Sequence, residues 1–303
     1  MDRDWRFQEI QWRGELGLRY QLSNHAEMVT RFQYAYDTVY DWTSSNLYAD
    51  KIHSDSYRLP SDHILRECHL DLELEKWKIK LGKQQVVWGK MEGRWMDFVN
   101  NLDAKDGLQI RASAYDQLRI PLWMANATCS LGKSSLQMLW IPDYEPERTP
   151  YPGSPFWFPV MPDPAWDGIP VVKNDEPDMG SIKNHQAAMR INTTAGSSTY
   201  SIGYMYGYSK TPTNFIKLDD GDNPFYEQEY TRSHYFGASV DGSHFFRNVP
   251  IIRSLPLAYR FEAVYQTDRY FRDYSEWDPQ NLTLISGDGV AKTDVIMGSA
   301  QFT

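Results

Sequence analysis

The sequence predicts an all-β chain folded as an antiparallel transmembrane β-barrel, complete or open, of about 10 to 12 long strands. Three observations lead there. Apolar and charged residues alternate singly over stretches about twice as long as the 5 or 6 residues of an ordinary strand. Aromatic side chains fall near the ends of those stretches. The joins between them are of two kinds, tight turns and long loops.

The first element is EIQWRGELGLRYQLSN, residues 9–24. Ile10, Trp12, Gly14, Leu16, Leu18, Tyr20 and Leu22 share one face, while Gln11, Arg13, Glu15, Arg19 and Gln21 share the other. At about 3.3 Å per residue and a tilt of roughly 40°, Ile10 to Leu22 covers about 33 Å along a barrel axis, more than the roughly 25 Å apolar band of a membrane barrel. A strand that long, with full charges on one face, suits a wall between lipid and a polar lumen. Trp12, Tyr20 and Trp77 then suit the two water boundaries, where amphipathic rings are favoured.

After Ser23, Asn24 and His25, the pattern resumes with Ala26, Met28, Phe32, Tyr34 and Tyr36 facing one way and Glu27, Arg31, Gln33 and Asp37 the other, which makes a hairpin. Leu70, Leu72 and Leu74 alternate with His69, Asp71 and Glu73, and beyond Glu75 and Lys76 the phase flips to Trp77, Ile79 and Leu81 against Lys78 and Lys80. A tight turn at Glu75 and Lys76 sets Leu74 opposite Trp77, Glu73 opposite Lys78, Leu72 opposite Ile79 and Asp71 opposite Lys80. One register thus yields an apolar side and a charge-paired side. Further strands are expected at Leu122–Leu131, Leu136–Ile141, Gln186–Thr193, Tyr200–Tyr208, Tyr230–Val240, Leu255–Gln266 and Val295–Phe302. Across a turn at Gly196, Ala187, Met189 and Ile191 should share a face with Ile202, Tyr204, Tyr206 and Tyr208. Between them, residues 142–184 hold ten of the 17 prolines and read as one long loop rather than ladder strand, because proline has no N–H to donate. The whole chain, 1–303, reads as one domain.

Composition narrows the function. Mean hydropathy is −0.60, yet the chain carries 11 Trp and 20 Tyr, so apolar and polar residues are interleaved rather than segregated. No apolar run approaches the ~18 residues of a membrane-spanning helix. A net charge of −9 with no basic cluster argues against a nucleic-acid binder, which needs a basic surface to displace counterions. Cys68 and Cys129 are in phase with the apolar residues of their strands and read as unreactive packing, with no disulfide or metal pair. No nucleophile-elbow, zinc-protease or phosphate-loop signature is present. His53, His63 and His69 lack metal-ligand spacing. Glu92 and Asp97 form a weak acid/base couple at best. The chain is therefore expected to be no enzyme and to need no cofactor or metal.

The stretch GKQQVVWGKMEGRWMDFVNNLD, residues 82–103, and RIPLWMANATCSLGKSSLQMLWIPDYEPERTPYPGSPF, residues 119–156, resemble a family of proteobacterial outer-membrane β-barrels defined as a domain of unknown function and similar to alginate-export and porin-like barrels. Lys83, Gln84, Trp88 and Gly89 match a strand that ends on a basic residue, Gln and Trp-Gly. Asn100 or Asn101 with Asp103 matches its Asn-x-x-Asp loop. Ile120 and Pro121 match its strand entry, and Trp140, Pro142, Glu145, Pro146 and Pro152 its hairpin exit. Lys90 stands where that family has an acidic residue. The resemblance implies an outer-membrane location in a Gram-negative bacterium, with outer-membrane lipid, the barrel assembly machinery, and periplasmic or inner-membrane export partners. It also implies a longer chain with a signal peptide, so this sequence is expected to be a fragment or truncated product.

Under this reading Arg13, Glu15, Arg19, Arg31, Asp71, Glu73, Lys78 and Lys80 line the lumen, either pairing across strands or setting up a field that orients polar solutes. Tyr144, Tyr151, Phe156, Trp157 and Trp166 of the Pro-rich loop are candidates to stack on a solute at the pore. Two other functions compete: a soluble β-sandwich or β-solenoid that binds or cleaves polysaccharide, and a membrane barrel that serves only as a scaffold.

Overall fold

A computed structural model describes residues 10–38, 64–90, 96–104, 118–150, 170–173, 176–221, 223–249, 252–273, 277–278, 283–284 and 287–303. In chain order the strands are β1 (Gln11–Ser23), β2 (Ala26–Asp37), β3 (Leu65–Leu74), β4 (Trp77–Gln84), β5 (Leu122–Leu131), β6 (Ser134–Ile141), β7 (Val171–Lys173), β8 (Gln186–Ala195), β9 (Ser198–Tyr208), β10 (Thr213–Leu218), β11 (Pro224–Glu229), β12 (Arg232–Val249), β13 (Ile252–Arg272), β14 (Trp277–Asp278), β15 (Thr283–Leu284) and β16 (Val290–Phe302). Eleven of them form one antiparallel sheet in the order β1-β2-β3-β4-β5-β6-β8-β9-β12-β13-β16. Every neighbour in that sheet is the next long strand in sequence, which makes an up-and-down meander. The outermost strands, β1 and β16, are not paired with each other. Among the described residues no helix is long and apolar enough to cross a membrane.

The expected register holds pair for pair. Leu74 faces Trp77, Glu73 faces Lys78, Leu72 faces Ile79 and Asp71 faces Lys80. Ala187, Met189 and Ile191 face Tyr206, Tyr204 and Ile202. The joins alternate without exception along the meander. β1–β2, β3–β4, β5–β6, β8–β9 and β12–β13 close within two residues, while the intervening connections are all long. Because strands alternate in direction, every tight turn lies at one end of the sheet and every long loop at the other, the arrangement of membrane barrels.

The two faces of the sheet differ in kind. Trp12, Leu16, Leu18, Tyr20, Leu22, Leu74, Leu81, Trp123, Met138, Trp140, Ile202, Phe236 and Ile296 are all exposed, and all lie in the same phase around the sheet. Leu16 and Leu18 keep 57% and 54% of their surface, so no second sheet is stacked on this face. An apolar surface continuous over eleven strands far exceeds what a water-soluble monomer leaves bare. Trp12, Tyr34, Tyr36, Trp123, Trp140, Tyr206 and Tyr208 stand toward the loop end. Tyr20, Trp77, Tyr200, Phe245 and Phe302 stand toward the turn end.

Three expectations are corrected. The Pro-rich segment is not devoid of strand: the proline-free triplet Val171–Lys173 pairs in parallel with β11, and Pro170, though it donates nothing, accepts from Tyr226 N–H through its carbonyl at 2.9 Å. The hairpin β10–β11 within 209–231 went unforeseen, because its alternation lasts only six residues per strand. The last hairpin is longer than its alternation suggested, with 18 residues in β12 and 21 in β13, since Pro256 and Gly242 interrupt the pattern without interrupting the ladder. Cys68 and Cys129 are unpaired and half-buried, in the outward phase of their strands.

Candidate functional site

The inner face carries two distinct constructions. The first is a charged wall on β1–β4. Register puts Arg13, Glu15 and Arg19 of β1 in the inward phase, followed by Arg31 of β2, Asp71 and Glu73 of β3, and Lys78 and Lys80 of β4. All eight residues expected on the lumen side therefore share one wall. Arg31 Nε donates to Glu15 at 3.0 Å and its guanidinium reaches Glu67 at 3.4 Å. Lys78 donates to Glu73 at 2.8 Å, Lys80 lies 3.0 Å from Asp71, and His69 meets Asp71 at 2.6 Å. The Arg31–Glu15, Lys78–Glu73 and Lys80–Asp71 pairs are cross-strand and open to water, each worth little by itself, while His69–Asp71 lies within β3 with the imidazole buried. Together they hold both signs of charge on a fixed lattice.

The second construction is an inner segment, residues 84–90 and 96–104 with their flanking contacts, folded back from the loop end onto the inner face of β5–β13. It covers a row of residues running across six strands: Gln137, Arg190, Gly203, Gly237, Val264 and Met297, each the ladder partner of the next. Trp88, 1% exposed, is anchored at Gln137, where its indole N–H donates to Oε1 at 2.9 Å. From there a relay of amides continues: Gln137 donates to Asn126 at 3.0 Å, Asn126 to Gln84 at 3.1 Å, and Gln84 to the carbonyl of Met124 at 3.3 Å. The Arg190 guanidinium lies 5.3 Å from the Trp88 ring centre. Next along the row the wall has no side chains at all. A Cβ on Gly203 would come 3.0 Å from Trp88 Cζ3, and one on Gly237 would come 2.9 Å from both Met96 and Phe98. The two glycines pair with each other, and this recess is where the segment docks. Phe98 stacks on Tyr235 at 5.5 Å and meets Trp88 edge-on at 5.3 Å. Val86, Trp88, Met96, Phe98 and Val99 bury themselves with Leu122, Leu139, Ile141, Ala188, Met205 and Val264 in one apolar cluster.

Polar clamps fix the segment. Asp97 Oδ1 accepts from the Trp88 N–H at 3.0 Å and the Gly89 N–H at 3.3 Å, and Oδ2 accepts from Arg119 Nε at 2.8 Å. Asn100 accepts from the Val86 N–H at 2.8 Å and donates to the Ile120 carbonyl at 2.7 Å. Asn101 donates to the Glu145 carbonyl at 2.7 Å, and Asp103 lies 3.5 Å from Arg148. Lys90, where an acidic residue was expected, bonds Asp241 with its ammonium and Glu262 with its backbone N–H, which tethers the segment to β12 and β13. The acid/base reading of Glu92 and Asp97 gives way for Asp97, whose carboxylate is fully used in clamping; Glu92 lies outside the described residues.

The remaining expected residues divide. Gln84, Trp88, Gly89 and Asp103 belong to the inner segment, Lys83 is buried where β4 pairs with Cys68 and Trp123, and Pro121 leads from Arg119 into β5. Trp140 points outward, 5.2 Å from the His185 ring, and Pro142 starts the loop beyond it. Tyr144 packs between Tyr208 at 5.3 Å and Tyr230 at 5.2 Å and donates to the Ser209 carbonyl at 2.7 Å. Burial pushes its hydroxyl well above the usual tyrosine range, so it remains a donor. Tyr151, Phe156, Trp157 and Trp166 lie outside the described residues. Sequence reasoning missed Arg119, Gln137, Arg190, Gly203 and Gly237. A signal was present in MLWI at 138–141, where alternation lapses into a continuous apolar run because the inner face of β6 is itself covered.

Among the described residues no cluster of side chains could hold a metal ion. The geometry defines a class: an antiparallel, barrel-type sheet with an apolar outer face, a polar inner face and a segment folded into its interior. The chain belongs to the family DUF1302, proteins of unknown function, whose sequence profile matches residues 3–279. No curated protein matches it. Among solved structures it is similar to OmpT with loop L8 deleted, an outer membrane protein of Vibrio cholerae, at 11% identity and TM-score 0.37 over 96% of this chain and 90% of that one. It is also similar to OmpF of Salmonella typhi in complex with daunomycin, at 10% identity and TM-score 0.29 over 97% and 91%. OccAB4 of Acinetobacter baumannii stands at 10% identity and TM-score 0.30 over 97% and 91%.

Proposed function

We propose that this protein is an outer-membrane barrel of a Gram-negative bacterium that passes a polar or amphipathic solute, with residues 84–90 and 96–104 narrowing its interior. The observation that carries the reading is the pairing of a bare apolar outer face with an inner face that is charged on β1–β4 and occupied by a clamped segment on β5–β13. A soluble sandwich would bury the first, and an inert packed barrel would have no use for the second. Outer-membrane lipid contacts the outer face. The barrel assembly machinery inserts the chain, and export partners in the periplasm or inner membrane are compatible with a porin-like role. No step of this function involves catalysis.

Fractionation of cells and reconstitution into planar bilayers test this. The expected result is recovery in the outer-membrane fraction, extraction only by detergent, and discrete conductance steps. A monomer stable in detergent-free buffer overturns the membrane assignment. Membrane recovery without conductance or solute flux overturns passage in favour of a scaffold.

A further inference from the structure

Above the docked segment, at the loop end, the interior holds a cavity of about 630 Å³ between Phe98 and Leu102 on one side, the 209–214 connection and β10 above, and the inner sides of β12, β13 and β16. Its charge is lopsided. Lys210, Arg269 and Arg272 line it, against Asp97 and Glu147. Asp97 is already committed to Arg119, which leaves Glu147 as the one other acid among the lining residues.

Neither arginine is neutralised within the described protein. The Arg269 guanidinium has as its hydrogen-bond acceptor the Met297 thioether, at 3.6 Å, and lies 5.1 Å from the Phe271 ring. Arg272 lies 4.8 Å over the Tyr226 ring, and its buried NH1 has no hydrogen-bond partner. A guanidinium held against aromatic rings, with N–H groups unfilled, is a fork waiting for a planar anion. A desolvated donor that finds no acceptor is costly, so the unfilled NH1 of Arg272 at a cavity wall points to an acceptor that arrives with a ligand. Phe98, Tyr235, Val264, Tyr270 and Met297 give the wall an apolar and aromatic side, and Thr213, Asn214, Ser233 and Gln266 are among its neutral polar residues. A volume of 630 Å³ is in the range of small-molecule sites, about 300–1,000 Å³.

We propose that this cavity binds an amphipathic carboxylate, its carboxylate on Arg269 and Arg272 and its apolar or aromatic body against Phe98, Tyr270 and Met297. The site names the class of solute that the barrel passes, and in that respect it rests on the passage reading.

The test separates the two. Binding of 4-phenylbutyrate and of its neutral amide to the purified, detergent-folded chain is measured by titration calorimetry. The acid is expected to bind about tenfold or more tightly than the amide, and R269Q/R272Q to lose that difference while retaining its β-sheet circular dichroism. Arg272→Lys, which keeps the charge but not the fork, should fall between. Equal binding of acid and amide overturns the proposal, as does undiminished binding by folded R269Q/R272Q. Should that variant fail to fold, the acid-against-amide comparison on the unaltered chain decides alone. Acid-selective binding in a protein that conducts nothing keeps the site and rejects passage; conductance without acid-selective binding does the reverse.

Discussion

Gly203 lies beneath Trp88 so closely that a Cβ would come 3.0 Å from the ring, while the Trp88 indole N–H donates to Gln137 at 2.9 Å. The missing side chain and the hydrogen bond fix the tryptophan from two directions and so fix the inner segment. Enlarging Gly203 or Gly237 to Leu should lift the segment from the wall at a cost of about 1–3 kcal/mol, the usual range for overpacking. Unit conductance in planar bilayers should then rise above that of the unaltered chain. An unchanged conductance in a folded G203L or G237L protein would mean the segment does not narrow the path.

Arginine placed at Leu72, which shares the outward face with its partner Ile79 one ladder step inside Trp77, should cost more than the ~1 kcal/mol of an interface and less than the ~4 kcal/mol upper value of the membrane midplane. The same substitution at neighbouring Glu73, in the inward phase and exposed opposite Lys78, should be far better tolerated. Folding into lipid vesicles, followed by urea titration of both variants, measures the difference. Equal tolerance at the two positions refutes the assignment of two solvents to two faces.

Asp97→Asn removes the carboxylate from the buried Asp97–Arg119 pair. Breaking a buried pair from one side costs about 3–5 kcal/mol, whereas D97N/R119M, which removes both charges, should cost less than the sum of the single changes. A double-mutant cycle on denaturant unfolding reads the coupling. Additive effects would show that the clamp contributes nothing as a pair.

Asp143, in the loop just past β6, accepts the Trp123 N–H at 2.8 Å and the Tyr144 N–H at 2.9 Å. Burial nonetheless outweighs these bonds and pushes its carboxyl above the ordinary value of 3.8. A group raised in the folded state favours folding below its unfolded value, and that contribution is lost as pH rises through the folded value. Acidification from neutral pH toward 3.8 should therefore raise the stability of the unaltered chain relative to Asp143→Asn, and that gain should be lost as pH returns to neutral. Thermal unfolding in detergent over a pH series checks this, and a relative loss on acidification defeats it.

Much of this architecture was determined by sequence alone, because single-residue alternation leaves no freedom of register once one face must meet lipid. A slip of one residue on β3 or β4 would turn Leu70, Leu72 and Leu74 inward and Asp71 and Glu73 into hydrocarbon, so the hairpin at Glu75–Lys76 could be placed pair by pair. The charged wall from Arg13 to Lys80 followed from the same periodicity. Tertiary structure alone decided what fills the interior. Trp88, Asp97, Asn100 and Arg119 lie in stretches without alternation, and their partners Gln137, Arg190, Gly203 and Gly237 stand 49 to more than 100 residues away along the chain. Alternation reports which side of a strand a residue takes, not which distant segment covers it. That Gly203 and Gly237 form one recess, and that Arg269 and Arg272 face the same cavity, depends on strands brought side by side by the meander.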